Sequence, residues 1–201
     1  MREVRCAQYT PEWWDARRGL PTASKFDKIV TSTGEPSKQR LGYLYQCAAA
    51  RISGVYEDTY TSLAMQRGIE LEEEARRVYA MEREVAVDEV GFCLADGERW
   101  GASPDGLIGE DGVLEIKCPE GRAAVEYLLK GKLPTAYIQQ CQGQLLVTER
   151  QFCDFVSYYP GLPMLIVRTE PDTAFLCKLK AALVEFCDKL DSICAKIKGG
   201  S

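Results

Sequence analysis

Ser103-Pro104-Asp105-Gly106-Leu107-Ile108-Gly109-Glu110-Asp111-Gly112-Val113-Leu114-Glu115-Ile116-Lys117 combines a turn, strand-forming residues and three charged side chains of chemical interest. Asp111-Gly112 is a two-residue hairpin signal, and the apolar residues on either side of it have strand spacing. Side chains alternate along a strand. Val113, Glu115 and Lys117 therefore share one face, and Leu114 and Ile116 share the other, which packs inward. Glu115 and Lys117 then point together toward Asp105, ten residues upstream of Glu115. Two carboxylates, a backbone carbonyl and water make a hard oxygen site suited to Mg²⁺ or Mn²⁺. Beside such an ion, Lys117 would orient or deprotonate a water, or stabilise a charged transition state. Those parts suit metal-dependent phosphodiester cleavage. The competing reading of a bare Glu-x-Lys, a solvated strand face between two turns, loses ground to the Ser-Pro-Asp-Gly lead-in and the apolar bracketing.

Working outward, helical and strand patterns alternate. A short helix is expected over Ala23–Val30, capped by Thr22 or Ser24. An amphipathic helix follows over Leu41–Ile52, residues 55–67 are ambiguous, and a strong helix covers Ile69–Glu82. In that helix the glutamates lie early and the arginines late, as the helix dipole favours. Val85–Val90 and Gly91–Leu94 read as strands of a meander. Helices are expected over Gly121–Leu129 and Pro134–Val147, and strands over Gln151–Tyr158 and Met164–Arg168. Leu176, Leu179, Leu183, Phe186, Leu190, Ile193 and Ile197 form the apolar stripe of a last helix, expected to pack on the domain. The expected architecture is α/β, a mixed central sheet flanked by helices, in one domain over residues 1–201.

Composition narrows the chemistry. The 201 residues contain no histidine. That excludes Ser-His-Asp and Cys-His hydrolases, His-Glu-x-x-His metalloproteases and nucleases with a histidine base. Hydrolysis here must use carboxylates, lysine and a hard metal. The nine cysteines are odd in number and contain no Cys-x-x-Cys. They read as reduced thiols, mostly core fillers, rather than a disulfide framework, a zinc site or an iron–sulfur cluster. No membrane span or signal peptide is expected, so the protein reads as soluble and cytoplasmic. The net charge of −5 argues against broad coating of DNA but leaves room for a local basic lining.

Pro104-Asp105…Glu115-x-Lys117 resembles the motif of the PD-(D/E)xK nuclease superfamily, which has a restriction-endonuclease-like core. Further blocks narrow the resemblance. Trp14-Asp-Ala-Arg17-Arg18-Gly19-Leu-Pro-Thr22-Ala23-Ser24, Gly68-x3-Glu72, Ser103-Pro-Asp-Gly, Glu115-x-Lys117-Cys118-Pro119 and Tyr137-x2-Gln140-x-Gln142 occur in the order seen in phage lambda-type exonucleases. The resemblance runs from about Trp13 to the final helix. It implies a phage or prophage enzyme of the bacterial cytoplasm. Such an enzyme digests one strand of duplex DNA from a 5′-phosphorylated end, leaves a 3′ overhang, forms a homotrimeric ring and works beside a single-strand annealing protein.

The resemblance also implies roles. Asp105, Glu115, the carbonyl of Ile116 and Glu72 would hold the metal, two Mg²⁺ or Mn²⁺ ions in all, with Glu72 acting directly or through water. Glu70, Glu73 and Glu74 are equal to Glu72 on composition, and only the Gly68 spacing separates them. Lys117 would be the catalytic lysine and Gln140 a polar residue beside the site, with Gln142 close behind. Arg17 would grip the terminal 5′-phosphate, as a guanidinium binds phosphate bidentately. Ser24, Ser103 and Arg122 would assist it, though Arg122 is one residue out of the expected spacing. Met65 falls at the position of an apolar wedge, or is a plain core methionine. Trp13 and Trp14 read as core. An endonuclease of the same fold and a non-catalytic DNA-binding module are the alternatives. Arg17 with Ser24 favours an end, and the intact ligand set disfavours the module.

Overall fold

The computed structural model describes residues 1–55 and 63–199, without the side chains of residues 63–65. The Met65 side chain thus lies outside the described residues, as does most of the ambiguous segment. In chain order the elements are β1 (Arg2–Val4), α1 (Pro11–Arg17), a 3₁₀ turn (Ala23–Lys28), α2 (Arg40–Ser53), α3 (Leu63–Arg83), β2 (Val87–Asp88), β3 (Phe92–Leu94), β4 (Gly101–Ala102), β5 (Gly106–Ile108) and β6 (Gly112–Lys117). Then come α4 (Gly121–Lys130), a 3₁₀ turn (Thr135–Tyr137) leading into α5 (Ile138–Thr148), β7 (Phe152–Ser157), β8 (Leu165–Thr169) and α6 (Thr173–Gly199).

Five strands form a mixed sheet in the order β2-β5-β6-β7-β8, and three form an antiparallel sheet in the order β1-β3-β4. Among the described strands β6 and β7 are the parallel pair, and their register sets Leu114 beside Asp154 and Glu115 beside Phe155. The crossover between them is α4 and α5, as a parallel pair requires. The expected mixed sheet with flanking helices is what the chain forms.

Several local expectations change. Strand β6 is buried on both faces. Leu114 and Ile116 pack toward Ala75 and Tyr79 of α3, while Val113 packs against Cys141 and Leu145 of α5. The Glu115 face is therefore not open, because helices cover both sides of a parallel pair. The hairpin turn lies at residues 109–111, and Gly112 already belongs to β6. The two strands read as a meander part company: β2 pairs with β5, and β3 pairs with β1 and β4. Strand β1 carries no clear pattern in the sequence. A Cβ at Gly91, between β2 and β3, would lie 2.4 Å from the Cys6 carbonyl oxygen, so only glycine lets the N-terminal segment cross there.

Helix α3 begins six residues before its expected start, so its glutamates sit mid-helix and the dipole argument does not apply. The charges instead pair one turn apart, Glu72 with Arg76 and Glu73 with Arg77. The Ala23–Lys28 segment is a 3₁₀ turn, and its Thr22 makes no side-chain cap.

The core is largest where α6 lies on α2 and α5. Leu179, Leu183, Phe186 and Leu190 are fully buried there, against Tyr43, Leu44 and Phe26. Each such side chain contributes roughly 1.5–3 kcal/mol by leaving water. Helix α5 lies so close to the 3₁₀ turn that a Cβ at Gly143 would meet Phe26 at 2.5 Å. That approach brings Ser24 and Lys25 alongside the face of α5 bearing Gln140. All nine cysteines are free thiols, and six are buried. Among the described residues no helix is long and apolar enough to cross a membrane.

Candidate active site

The end of β6 meets α3 in a cleft of about 360 Å³ lined by Glu72, Ile116, Lys117, Cys118, Tyr9 and Tyr137. Glu115 lies beneath it, fully buried. Its two oxygens are taken by different donors: the Lys117 ammonium on one and the Gln144 amide of α5 on the other. Asp105 precedes β5 and is bound into the hairpin. Its Oδ2 accepts the Ile116 N–H at 2.6 Å, and its own N–H donates to the Leu114 carbonyl at 3.0 Å. Register alone thus brings Asp105, Glu115 and Lys117 together.

Glu72 reaches the group from α3. Arg76, one turn on, donates to Glu72 at 3.0 Å and to the Asp105 backbone carbonyl at 2.8 Å, so a single guanidinium ties the helix to the hairpin. Of the α3 glutamates, Glu74 instead accepts the Tyr158 hydroxyl, and Glu73 pairs with exposed Arg77.

The electrostatics mark this group as short of positive charge. Burial, and then the charges of Glu115 and Glu72, push Asp105 well above the usual carboxylate range. Burial also raises Glu72, and Arg76 and Lys117 offset it only in part. Burial would lower the Lys117 ammonium, but Glu115 and Asp105 outweigh it and raise it, so this lysine is firmly protonated. Carboxylates that raise one another fit a bound cation, and their oxygens suit a hard one. Among the described residues no three Asp, Glu, Cys or His side chains form a ready-made ligand group. A metal here would need the Ile116 carbonyl and water as well.

Arg17 ends α1. It donates to Ser103 Oγ at 2.7 Å and lies 4.0 Å from the centre of the Trp13 ring. Trp13 is buried, and its indole N–H is shared between Ser103 Oγ at 2.9 Å and the Gly91 carbonyl at 2.8 Å. Arg17 lines a pocket of about 120 Å³ with Thr22, Lys25, Lys28 and Gln46. Burial and then the neighbouring Lys28 lower the Lys25 ammonium, and the charge of Asp27 offsets them only in part. A local basic lining therefore exists within an acidic chain. Because Ser103 is two residues from Asp105, this pocket and the carboxylates are held by one segment.

Other expected residues fall elsewhere. Ser24 is exposed and lines a neighbouring recess with Gln140, Lys25 and Tyr137; that recess shares Lys25 and Lys28 with the Arg17 pocket, and Ser24 Oγ lies 3.4 Å from Thr22 Oγ1. Thr22, not Ser24, lines the Arg17 pocket. Gln140 shares only Tyr137 with the carboxylate cleft, and the glutamine that touches Glu115 is Gln144. Gln142 turns away to hold the loop before α6, donating to the Glu170 carbonyl at 2.8 Å and accepting the Asp172 N–H at 2.9 Å. Arg122 is exposed on the first turn of α4 and is not part of the cleft lining. Trp13, Arg76 and Gln144 are the contacts that sequence reasoning missed. Each stands one helical turn from a residue it had singled out, Arg17, Glu72 and Gln140, and that spacing was the available signal.

Residues 12–151 match the YqaJ-like viral recombinase domain. No curated protein matches the chain. Among solved structures, the alkaline exonuclease LHK-Exo from Laribacter hongkongensis is 36% identical, with 95% of this chain and 97% of that chain covered and a TM-score of 0.86. LHK-Exo in complex with dAMP has the same identity and coverage at a TM-score of 0.87. A phage-related exonuclease from Haemophilus somnus 129PT, 16% identical, shares the fold at a TM-score of 0.68 over 89% of this chain and 96% of its own. This chain belongs to the YqaJ-like viral recombinase family and has the lambda-exonuclease-like fold.

Proposed function

We propose that this chain is a metal-dependent exonuclease that degrades one strand of linear duplex DNA from a 5′-phosphorylated end and leaves a 3′ overhang for strand annealing. Membership of the viral recombinase family, with an alkaline exonuclease at 36% identity, supports a DNA exonuclease. The observation that carries the finer reading is the shared Ser103-Pro104-Asp105 segment. Its serine holds Arg17 over the basic pocket, and its aspartate belongs to the carboxylate group. An anion in the one and a scissile phosphate at the other would lie on neighbouring positions of one strand. Only a strand end supplies a terminal phosphate for the first.

Asp105, Glu115, the Ile116 carbonyl and Glu72 would hold Mg²⁺ or Mn²⁺, which when bound supplies Lewis-acid activation of water and of the phosphate. Gln144 orients Glu115, and Arg76 orients Glu72 against the hairpin. Lys117, whose ammonium donates to Glu115, is placed to orient water and to stabilise the pentacovalent phosphate's charge. Arg17, with Lys25, Lys28 and Thr22, holds the 5′-phosphate. A ring of three chains and an annealing partner belong to this proposal as family expectations.

The test is digestion of linear duplex with and without a 5′-phosphate, and of closed circular duplex, in Mg²⁺ and in EDTA. Mononucleotide release from the phosphorylated linear substrate in Mg²⁺ alone is expected. Efficient cutting of the closed circle would replace the reading with an endonuclease, and no cleavage of any substrate would leave a binding module.

A further inference from the structure

Tyr9 is a bulky residue held with φ at +64°, in the left-handed region. A side chain with a Cβ occupies that region at a cost of roughly 1–2 kcal/mol. Burial does not explain it, since 46% of the residue remains exposed. The segment around it is nonetheless fastened on both sides. Gln8 donates to the Pro104 carbonyl at 2.8 Å and to the Val90 carbonyl at 3.2 Å, and the Thr10 hydroxyl donates to the Ala7 carbonyl at 2.8 Å. Gln8 thus ties the Tyr9 turn to the residue immediately before Asp105.

The ring rests on tryptophan. Its centre is 5.1 Å from that of Trp13 and 6.5 Å from that of Trp14. Trp13 is also the ring beneath Arg17, so the phenol and the phosphate-gripping guanidinium share one support. Tyr9 lines the cleft with Glu72, Ile116 and Lys117. Partial burial and the charges of Glu72 and Asp105 push its hydroxyl up to about 12, so the ring stays a neutral phenol in the field of those carboxylates.

We propose that Tyr9 is a stacking platform for the base of the 5′-terminal nucleotide. This rests on the exonuclease reading, in which the terminal phosphate sits at Arg17 and the scissile phosphate at the carboxylates. The base between those phosphates has lost a stacking neighbour once it leaves the duplex. A pre-positioned, half-exposed aromatic face replaces that neighbour, and does so for any base, since each has a π-face. A processive enzyme needs that tolerance of sequence.

The experiment uses a duplex carrying a 5′-phosphorylated 2-aminopurine as terminal nucleotide, bound without turnover in Ca²⁺, with single-turnover cleavage measured in Mg²⁺. The proteins are the intact chain, Tyr9→Phe and Tyr9→Gly; glycine suits the φ, so the turn is preserved. The fluorophore is expected to stay dim with the intact chain and Tyr9→Phe and to brighten with Tyr9→Gly, while a probe at the third position does not respond. Cleavage by Tyr9→Gly is expected to fall about tenfold, mainly through weaker end binding, as loss of one base-stacking contact implies. Equal fluorescence with the intact chain and Tyr9→Gly overturns the proposal, even if Tyr9→Gly is less heat-stable, because Tyr9 would then only support tryptophan. A bright terminal probe with the intact chain overturns it too. Failure of the intact chain to cleave in Mg²⁺ would sink the exonuclease reading instead, and the Ca²⁺ fluorescence would still decide the role of Tyr9.

Discussion

Two carboxylate groups are set against α3 by the same sheet, one around Asp154 and one around Asp105, and they are finished differently. On β7, Asp154 is fully buried and faces α3. Arg168 of β8 grips both of its oxygens at 2.8 Å, and the Tyr79 hydroxyl donates at 2.6 Å. Burial pushes Asp154 up, but those hydrogen bonds and the Arg168 charge outweigh it and hold the acid below its ordinary range. At Asp105 the balance goes the other way: burial raises the acid most, and the charges of Glu115 and Glu72 raise it further. The first group is complete within the protein and acts as a strut between α3 and the sheet. The second is left short of positive charge, which stability alone would not favour. A deficit of that kind, open to a cleft, marks where the chain is organised for something it binds.

The largest expected effect tests whether the second group is chemical at all. Lys117→Ala should lower nucleotide release about 10²- to 10³-fold while duplex binding changes little, since it removes charge stabilisation from the reacting phosphate. Rates and affinities on the phosphorylated linear duplex would check this, and full activity would remove the lysine from the mechanism. Next in size is a pair of matched substitutions read by urea unfolding without divalent ions. Asp154→Asn should cost about 3 kcal/mol, because it leaves Arg168 and Tyr79 around a neutral amide. Asp105→Asn should leave stability unchanged or raise it, since the amide oxygen still accepts the Ile116 N–H and one repelling charge is gone. Equal losses would end the contrast between the two groups.

The smallest effect is in the pH dependence of stability. Asp154 is depressed in the fold, so its contribution is present above its unfolded pKa of about 3.9 and is lost as pH falls through the lower folded value. Asp105 is raised, so its contribution is fully present below that same unfolded value and is lost as pH rises toward the folded one. Asp154→Asn should flatten the acid limb of the profile, and Asp105→Asn the decline on the other side. Denaturation midpoints across that range, in EDTA, would show a single shared slope if the two acids are alike.

The motif residues were legible because covalent spacing and strand alternation carry much of their geometry. Asp105, Glu115 and Lys117 come together through a hairpin only a few residues long. The α6 stripe was legible for the same reason, since 3.6-residue periodicity is a local property. What local pattern left open depended on neighbours distant in the chain. The split of β2 and β3 into separate sheets is decided by β1, some ninety residues away, and the choice among the glutamines of α5 by which face of that helix meets β6. Gln140, Gln142 and Gln144 look alike in sequence, and packing gives them three different surroundings.

From residue types alone the range of chemistry was already narrowed: with no histidine in the chain, histidine-based hydrolysis is excluded, and the hairpin sets two carboxylates and a lysine close together. The sequence's local periodicities also determined the mixed α/β class. The tertiary structure alone decided that Glu115 is buried between Lys117 and Gln144, that Arg76 ties α3 to the Asp105 backbone, and that Trp13 supports both Arg17 and Tyr9. Those outcomes follow from burial and from charges meeting across elements. Both depend on distance in space, which the order of residues specifies only after the chain has packed.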